Sequence, residues 1–292
     1  MSVALVRRVA PVWLWLSLPI ACLAIGASVT GILVERIYAQ ETANWAAQSV
    51  AQDFANLINF GALLVLAMLA ARGSLRAYLA WLGVLGFGAY SYAIYAFTIH
   101  FGPLFLLYVA VLGLSLYTLV GGLLSIDSER VKASFGSSAP VRSTAALVTG
   151  VGALFYLLWL SAIVPAMLDG TTPQELVDVG LPTNPVHVID LAVFLPAALL
   201  AGALLWRRRA LGYLLAPLVL TMMVLFGVTI VCSNVVFAAR GLDAVWALAL
   251  GMAAFVTVAL VTLSRFLRAA ARDGLPGALI DARHAGDAQI RP

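Results

Sequence analysis

Charge is what this chain has least of. Asp, Glu, Lys and Arg make up 10% of its 292 residues, where a soluble domain carries roughly a quarter. A chain so poor in charge and 63% hydrophobic suits a bilayer, in which each helical span takes about 20 apolar residues. Lysine is reduced to Lys132, so no span carries an amine for a retinal Schiff base. Cysteine is reduced to Cys22 and Cys232, too few and too distant for a zinc motif or a CxxC redox pair. Each lies in an apolar run and reads as a buried, inert thiol. HExxH, GxSxG and CxxCH motifs are missing, as are a phosphate-binding loop and an arginine ladder, which removes the enzyme and sensor classes they mark.

What the chain does have is apolar length. Eight spans are expected, near Pro11–Val34, Phe54–Ala71, Ala77–Phe97, Leu104–Leu124, Thr144–Leu168, Val188–Trp206, Leu211–Phe237 and Ala244–Leu263. The first runs too long for a cleaved signal peptide and is expected to be retained. The predicted fold is therefore an all-α integral membrane bundle, a single domain over residues 1–272, with a disordered tail over 273–292 that holds His284. Alternating the spans puts 15 basic residues on one side and only Arg36 and Arg240 on the other. Positive charge stays inside, so both termini are expected in the cytoplasm of a bacterial-type plasma membrane. The arginine run Arg207–Arg209 is a topogenic stop on that side.

Two outer loops have substance. Glu35–Asp53 contains no Gly or Pro and is expected to form a surface helix with Tyr38 and Trp45 at the headgroups. In the second, Thr172 stands as a cap with Pro173 at the first helical position, Gly180 as a stop and Asn184 as the cap of the sixth span. Glycines at 83, 86, 88, 113, 121, 122, 150 and 152 predict close helix contacts, and Pro19, Pro165, Pro196 and Pro217 predict kinks.

Polar residues at the outer ends of several spans form the candidate site. His100 ends the third span, His187 opens the sixth, and Asp190 follows His187 by three residues on the same helix face. Asp53 opens the second span with Asn56 below it, and Asn184 and Asn234 reach a similar depth, as do Tyr92 and Tyr95. Ionisable residues at this depth are costly and point to function. Interfacial, capping and packing roles are the plain alternative, most of all for Asp53 and the two tyrosines. His100, His187 and Asp190 are the ligand types of a 2-His-1-carboxylate divalent metal site. A bis-histidine haem is the weaker variant, because both histidines stand at span ends.

The leading expectation is an outward-facing polar pocket that binds a metal, a cofactor or a small polar or lipid-derived ligand, with acid–base chemistry open to its histidines. An assembly subunit of a larger membrane complex is the alternative, partnered by another membrane protein or a second copy. A permease is the third reading, set back by inner span halves that look apolar and by the lack of an internal repeat. Beyond the lipid bilayer no partner is specified, and nothing points to nucleic acid.

Overall fold

In a bilayer, backbone polar groups find no water, so apolar runs close their hydrogen bonds internally as helices. The computed structural model describes residues 11–271 and bears this out. Its helices are α1 (Val12–Leu33), α2 (Ala43–Ala71), α3 (Leu75–Thr98), α4 (Phe105–Ser125), the short α5 (Ser128–Ala133), α6 (Val141–Leu168), the short α7 (Gln174–Val179), α8 (Pro185–Trp206), α9 (Ala210–Ala239) and α10 (Trp246–Arg268). Eight of these, all but α5 and α7, are long and apolar enough to cross a membrane. There is no β-strand among the described residues, only an isolated antiparallel bridge between Phe135 and Ala270. The expected tail and His284 lie outside the described residues.

α3 and α9 form the centre of the bundle and are mostly buried, whereas α6 and α10 are peripheral. Leu154, Leu157 and Met167 on α6 are more than half exposed, as lipid-facing side chains are. Gly83 explains the close approach of α3 and α9, since a Cβ there would meet the Leu218 carbonyl and Thr221. Gly86, Gly88, Gly121, Gly122 and Gly152 also face neighbouring helices, but Gly113 and Gly150 face open space, so the expected contact is absent at those two. Cys22 is exposed and not buried as expected, and Cys232 is half-buried.

The basic end is locked by backbone capture. Arg76 donates from Nε to the Ala270 carbonyl at 3.0 Å and from Nη2 to the Arg268 carbonyl at 3.0 Å, satisfying carbonyls that the end of α10 leaves open. The connector between α4 and α6 packs on the same point, with Phe135 against Tyr213 and Phe266.

At the opposite end the first loop departs from expectation. Glu35–Tyr38 is a single 3-10 turn, and α2 starts at Ala43, capped by Thr42, whose Oγ1 accepts the Trp45 N–H at 3.3 Å. The helical residues expected on the surface thus lengthen the second span, and Tyr38 and Trp45 are buried, not interfacial. Asp53 stands well inside α2 and cannot be its cap. The second loop follows expectation more closely: α7 has no buried residue, and Gly180 ends it with φ +69°. Its N-terminus differs, because Pro173 occupies the cap position and no side chain caps the helix.

Adding a side chain at the α3–α9 contact tests the packing. Gly83→Val is expected to destabilise by about 1–3 kcal/mol through overpacking. Gly113→Ala, with open space around it, is expected to stabilise by about 0.5–1 kcal/mol through helix propensity. Thermal unfolding in detergent reads both, and similar effects of the two changes would contradict the packing described.

Candidate functional site

α8 builds the site from a cap, a turn and a distortion. The Asn184 side chain accepts from the N–H groups of Val186 at 3.0 Å and His187 at 3.3 Å, so the expected cap is present. His187 and Asp190 follow on one face, both 7% exposed. Residues Asp190–Phe194 form a π-turn, closed by the Leu195 N–H onto the Asp190 carbonyl. Pro196 follows directly, and without an N–H it cannot continue the regular ladder. Wide turns of this kind recur at functional sites because they re-aim side chains.

Asp190 is held by two neutral donors from two other spans. The Tyr90 hydroxyl of α3 donates to Oδ1 at 3.0 Å, and the Trp159 indole N–H of α6 donates to Oδ2 at 2.8 Å. The Trp159 ring also packs on the His187 imidazole, with centroids 4.4 Å apart. His187 Nε2 is buried and has no hydrogen-bond partner. Glu175 Oε1 on α7 stands 3.6 Å from it, within ion-pair reach but too long for a hydrogen bond.

These residues line a cavity of about 400 Å³ between α2, α3, α6, α8, α9 and α10. Trp45, Phe155, Phe194, Phe226 and Phe255 line its body with Met223 and Met252, and Gln48, Gln52, Ser91 and Ser233 supply scattered polar atoms. The loop helix α7 covers one end through Glu175 and Val179. It is tied down by the Thr42 hydroxyl, which donates to the Asp178 carbonyl at 3.0 Å.

Of the residues expected to share a site, the structure brings His187, Asp190, Asn184 and Tyr95 to this cavity. His100 is elsewhere: it lies beyond α3 with its side chain 55% exposed, and its backbone N–H and Nδ1 both meet Glu41 Oε1, at 2.8 and 3.0 Å. Among the described residues no three His, Cys, Asp or Glu side chains converge as a metal site requires. The expected metal set of His100, His187 and Asp190 is therefore not assembled, and the two histidines do not face one another as a bis-histidine haem demands. Asn234 has a structural task, donating to the Ile230 carbonyl and accepting the Val245 N–H, each at 2.9 Å.

Asp53 belongs to a second, closed cluster. Tyr38 donates to its Oδ2 at 2.7 Å and Tyr95 to its Oδ1 at 2.9 Å. The Tyr92, Tyr95 and Tyr108 rings pack together beside it. Tyr92 donates to the Ala24 carbonyl at 3.2 Å and faces this cluster, not the cavity. Gly31 leaves room for the carboxylate, since a Cβ there would meet both Asp53 and Tyr38. Burial, and next the Asp53 carboxylate, push the Tyr38 phenol well above its ordinary range, so it remains a neutral donor. Asn56 accepts from Gln52 Nε2 at 2.8 Å, while its own Nδ2 is buried without a partner.

Tyr90, Trp159 and Glu175 complete the site and carry no sequence signal that separates them from lipid-facing aromatics or a loop carboxylate. The chain matches no known protein family, no curated protein and no solved structure.

Removing the Asp190 carboxylate strands two donors at once. Asp190→Ala is expected to destabilise the protein by about 2–4 kcal/mol and Tyr90→Phe by about 1 kcal/mol. Thermal unfolding in detergent measures both; a loss in Asp190→Ala no larger than that in Tyr90→Phe would mean that the carboxylate does not join the spans.

Proposed function

We propose that the protein binds a small amphiphilic molecule in the cavity closed by α7, with its head at His187 and its body among the aromatic and methionine side chains. The observation that carries this reading is His187 Nε2, buried without a hydrogen-bond partner in the wall of an aromatic cavity, 3.6 Å from Glu175. A buried polar atom left unpaired costs about 1–3 kcal/mol, and a ligand group that pairs with it recovers that cost. The volume of about 400 Å³ lies within the roughly 300–1,000 Å³ usual for small-molecule sites, which are mostly apolar with a few placed polar groups. The ligand set of this reading is His187, Asp190 and Glu175; His100 and Asp53 hold the surrounding structure.

The cavity opens on the side away from the cytoplasm. This follows from the 15-to-2 split of basic residues and the preference of basic loops for the cytoplasm, with His187 and α7 on the poorly basic side.

Two measurements check these statements. Extraction of the detergent-purified protein, followed by mass spectrometry, is expected to recover close to one small amphiphile per chain, falling at least about tenfold in His187→Ala. Equal recovery from both proteins, or none from either, would overturn the binding reading. For orientation, Thr172→Cys and Ser138→Cys are each placed in a Cys22→Ala, Cys232→Ala background. A membrane-impermeant maleimide applied to intact cells is expected to label position 172 and leave 138 unlabelled, and the reverse pattern would invert the topology.

A further inference from the structure

The lining of the cavity selects among amphiphiles. Eight aromatic side chains face it, and its ionisable groups are Glu175, Asp190 and His187. None of the described lining residues is Lys or Arg. The two donors that hold Asp190, Tyr90 and Trp159, are neutral, so they orient the carboxyl group without cancelling its negative character. Glu175 has no Lys or Arg within ion-pair distance among the described residues; its one close charged-type neighbour is His187. Aromatic faces are negative at the ring centre and attract cations, most strongly when water is excluded. An anionic head placed beside Glu175 and Asp190 meets two carboxyl groups with no fixed positive charge to receive it. A cationic head between Glu175 and His187 meets acceptors there, while the unpartnered Trp45 Nε1–H is a donor and offers it nothing.

From this we infer that the bound amphiphile is a protonated amine. The inference rests on the binding reading above and specifies its ligand. The head is an ammonium carrying at least one N–H, because His187 Nε2, one of three unpartnered buried atoms on lining residues with Trp45 Nε1 and Ser91 Oγ, stands 3.6 Å from Glu175 and is an acceptor when the imidazole is neutral with its proton on Nδ1. One ammonium can donate to His187 Nε2 and to Glu175 Oε1, which already stand 3.6 Å apart. Trp159, pinned by Asp190 and packed on the imidazole, presents its ring beside the same point. The apolar body then packs among Phe226, Met223 and Met252. Methionine there suits a ligand of irregular outline, since its thioether adapts to the shape beside it.

The test uses three molecules of one shape and different head charge: phenylbutylamine, phenylbutanol and phenylbutyrate. Each is titrated into the detergent-purified full-length protein, with tryptophan fluorescence as the readout because Trp45 and Trp159 line the cavity. The amine is expected to bind at least about tenfold more tightly than the alcohol, and the carboxylate more weakly than either. Glu175→Gln, a change on a half-exposed loop helix that leaves the bundle intact, is expected to weaken the amine more than the alcohol and so shrink the amine's advantage to about threefold or less. Met223→Trp, which fills the body of the cavity, is expected to abolish binding of all three. If amine and alcohol bind equally and Met223→Trp abolishes both, the cavity binds amphiphiles but does not select a cation, and this inference falls while the binding reading stands. Tightest binding of the carboxylate also overturns it, in favour of a charged His187 receiving an anion. Failure of all three probes to bind overturns the inference and the binding reading together.

Discussion

The carboxyl group of Asp190 is the joint on which the site depends. It lies on α8, takes one hydrogen bond from α3 through Tyr90 and another from α6 through Trp159, and so fixes three spans about one point. Within a bilayer those donors have no water to fall back on, so the arrangement is strongly specified by the absence of alternatives. The bond to the indole has a second effect. It sets the plane of Trp159 against the His187 ring, whose Nε2 has no hydrogen-bond partner. The π-turn belongs to the same device: it starts at Asp190, one turn after His187, and ends just before Pro196.

α3 repeats the solution on its other side. There Tyr95 and Tyr38 donate to Asp53, which is 2% exposed, just as Tyr90 and Trp159 donate to Asp190. Among the described residues neither aspartate has a Lys or Arg partner; Arg36 and Arg240 are the only described basic residues at that end, and neither forms an ion pair with them. Neutral aromatic donors are what remains, and they satisfy a buried carboxyl group while also packing as apolar side chains. Tyr95 touches both worlds: its hydroxyl is bonded to Asp53 and its ring lines the cavity. The cavity wall is thus held from behind by the closed cluster.

The eight spans were legible because apolar length and composition are a direct record of the bilayer. The start of the second span was not. Asp53 reads as a boundary in one dimension, since a charge normally marks the edge of an apolar run, and only the folded structure reveals the phenols of Tyr38 and Tyr95 that allow it inside. The helical character of the preceding residues was correctly visible in their composition, but not that the helix continues the span. For the site, the three-residue spacing of His187 and Asp190 was legible as a shared helix face. The grouping of His100 with them was not recoverable, because a common depth in the membrane leaves open the position around the bundle, and Glu41 occupies His100 instead. Tyr90 and Trp159 were hidden for a different reason: in an apolar run, an aromatic that donates a buried hydrogen bond looks the same as one that faces lipid.

The cavity joins a small ionisable cluster to largely apolar walls, and that bears on what the fold can do. Glu175, His187 and Asp190 stand together, whereas Met223, Phe226 and Met252 line the wall on α9 and α10 beside Thr229 and Ser233. Buried hydroxyls do continue toward the basic end, where Ser115, Thr118 and Thr144 lie without hydrogen-bond partners, contrary to the apolar inner halves expected from sequence. They are single groups on α4 and α6, and none of them lines the cavity. A conducted ion needs successive sites along its path, whereas an amphiphile needs one polar end and one apolar body. The cavity meets the second requirement with a loop helix placed over the ionisable cluster. That cover is tied to the start of α2 by the Thr42 hydrogen bond to Asp178, which joins the helix carrying Asp53 to the loop carrying Glu175. The closed cluster and the cavity are therefore held in one frame, with the rigid aspartate cluster behind and the more exposed carboxylate at the entrance.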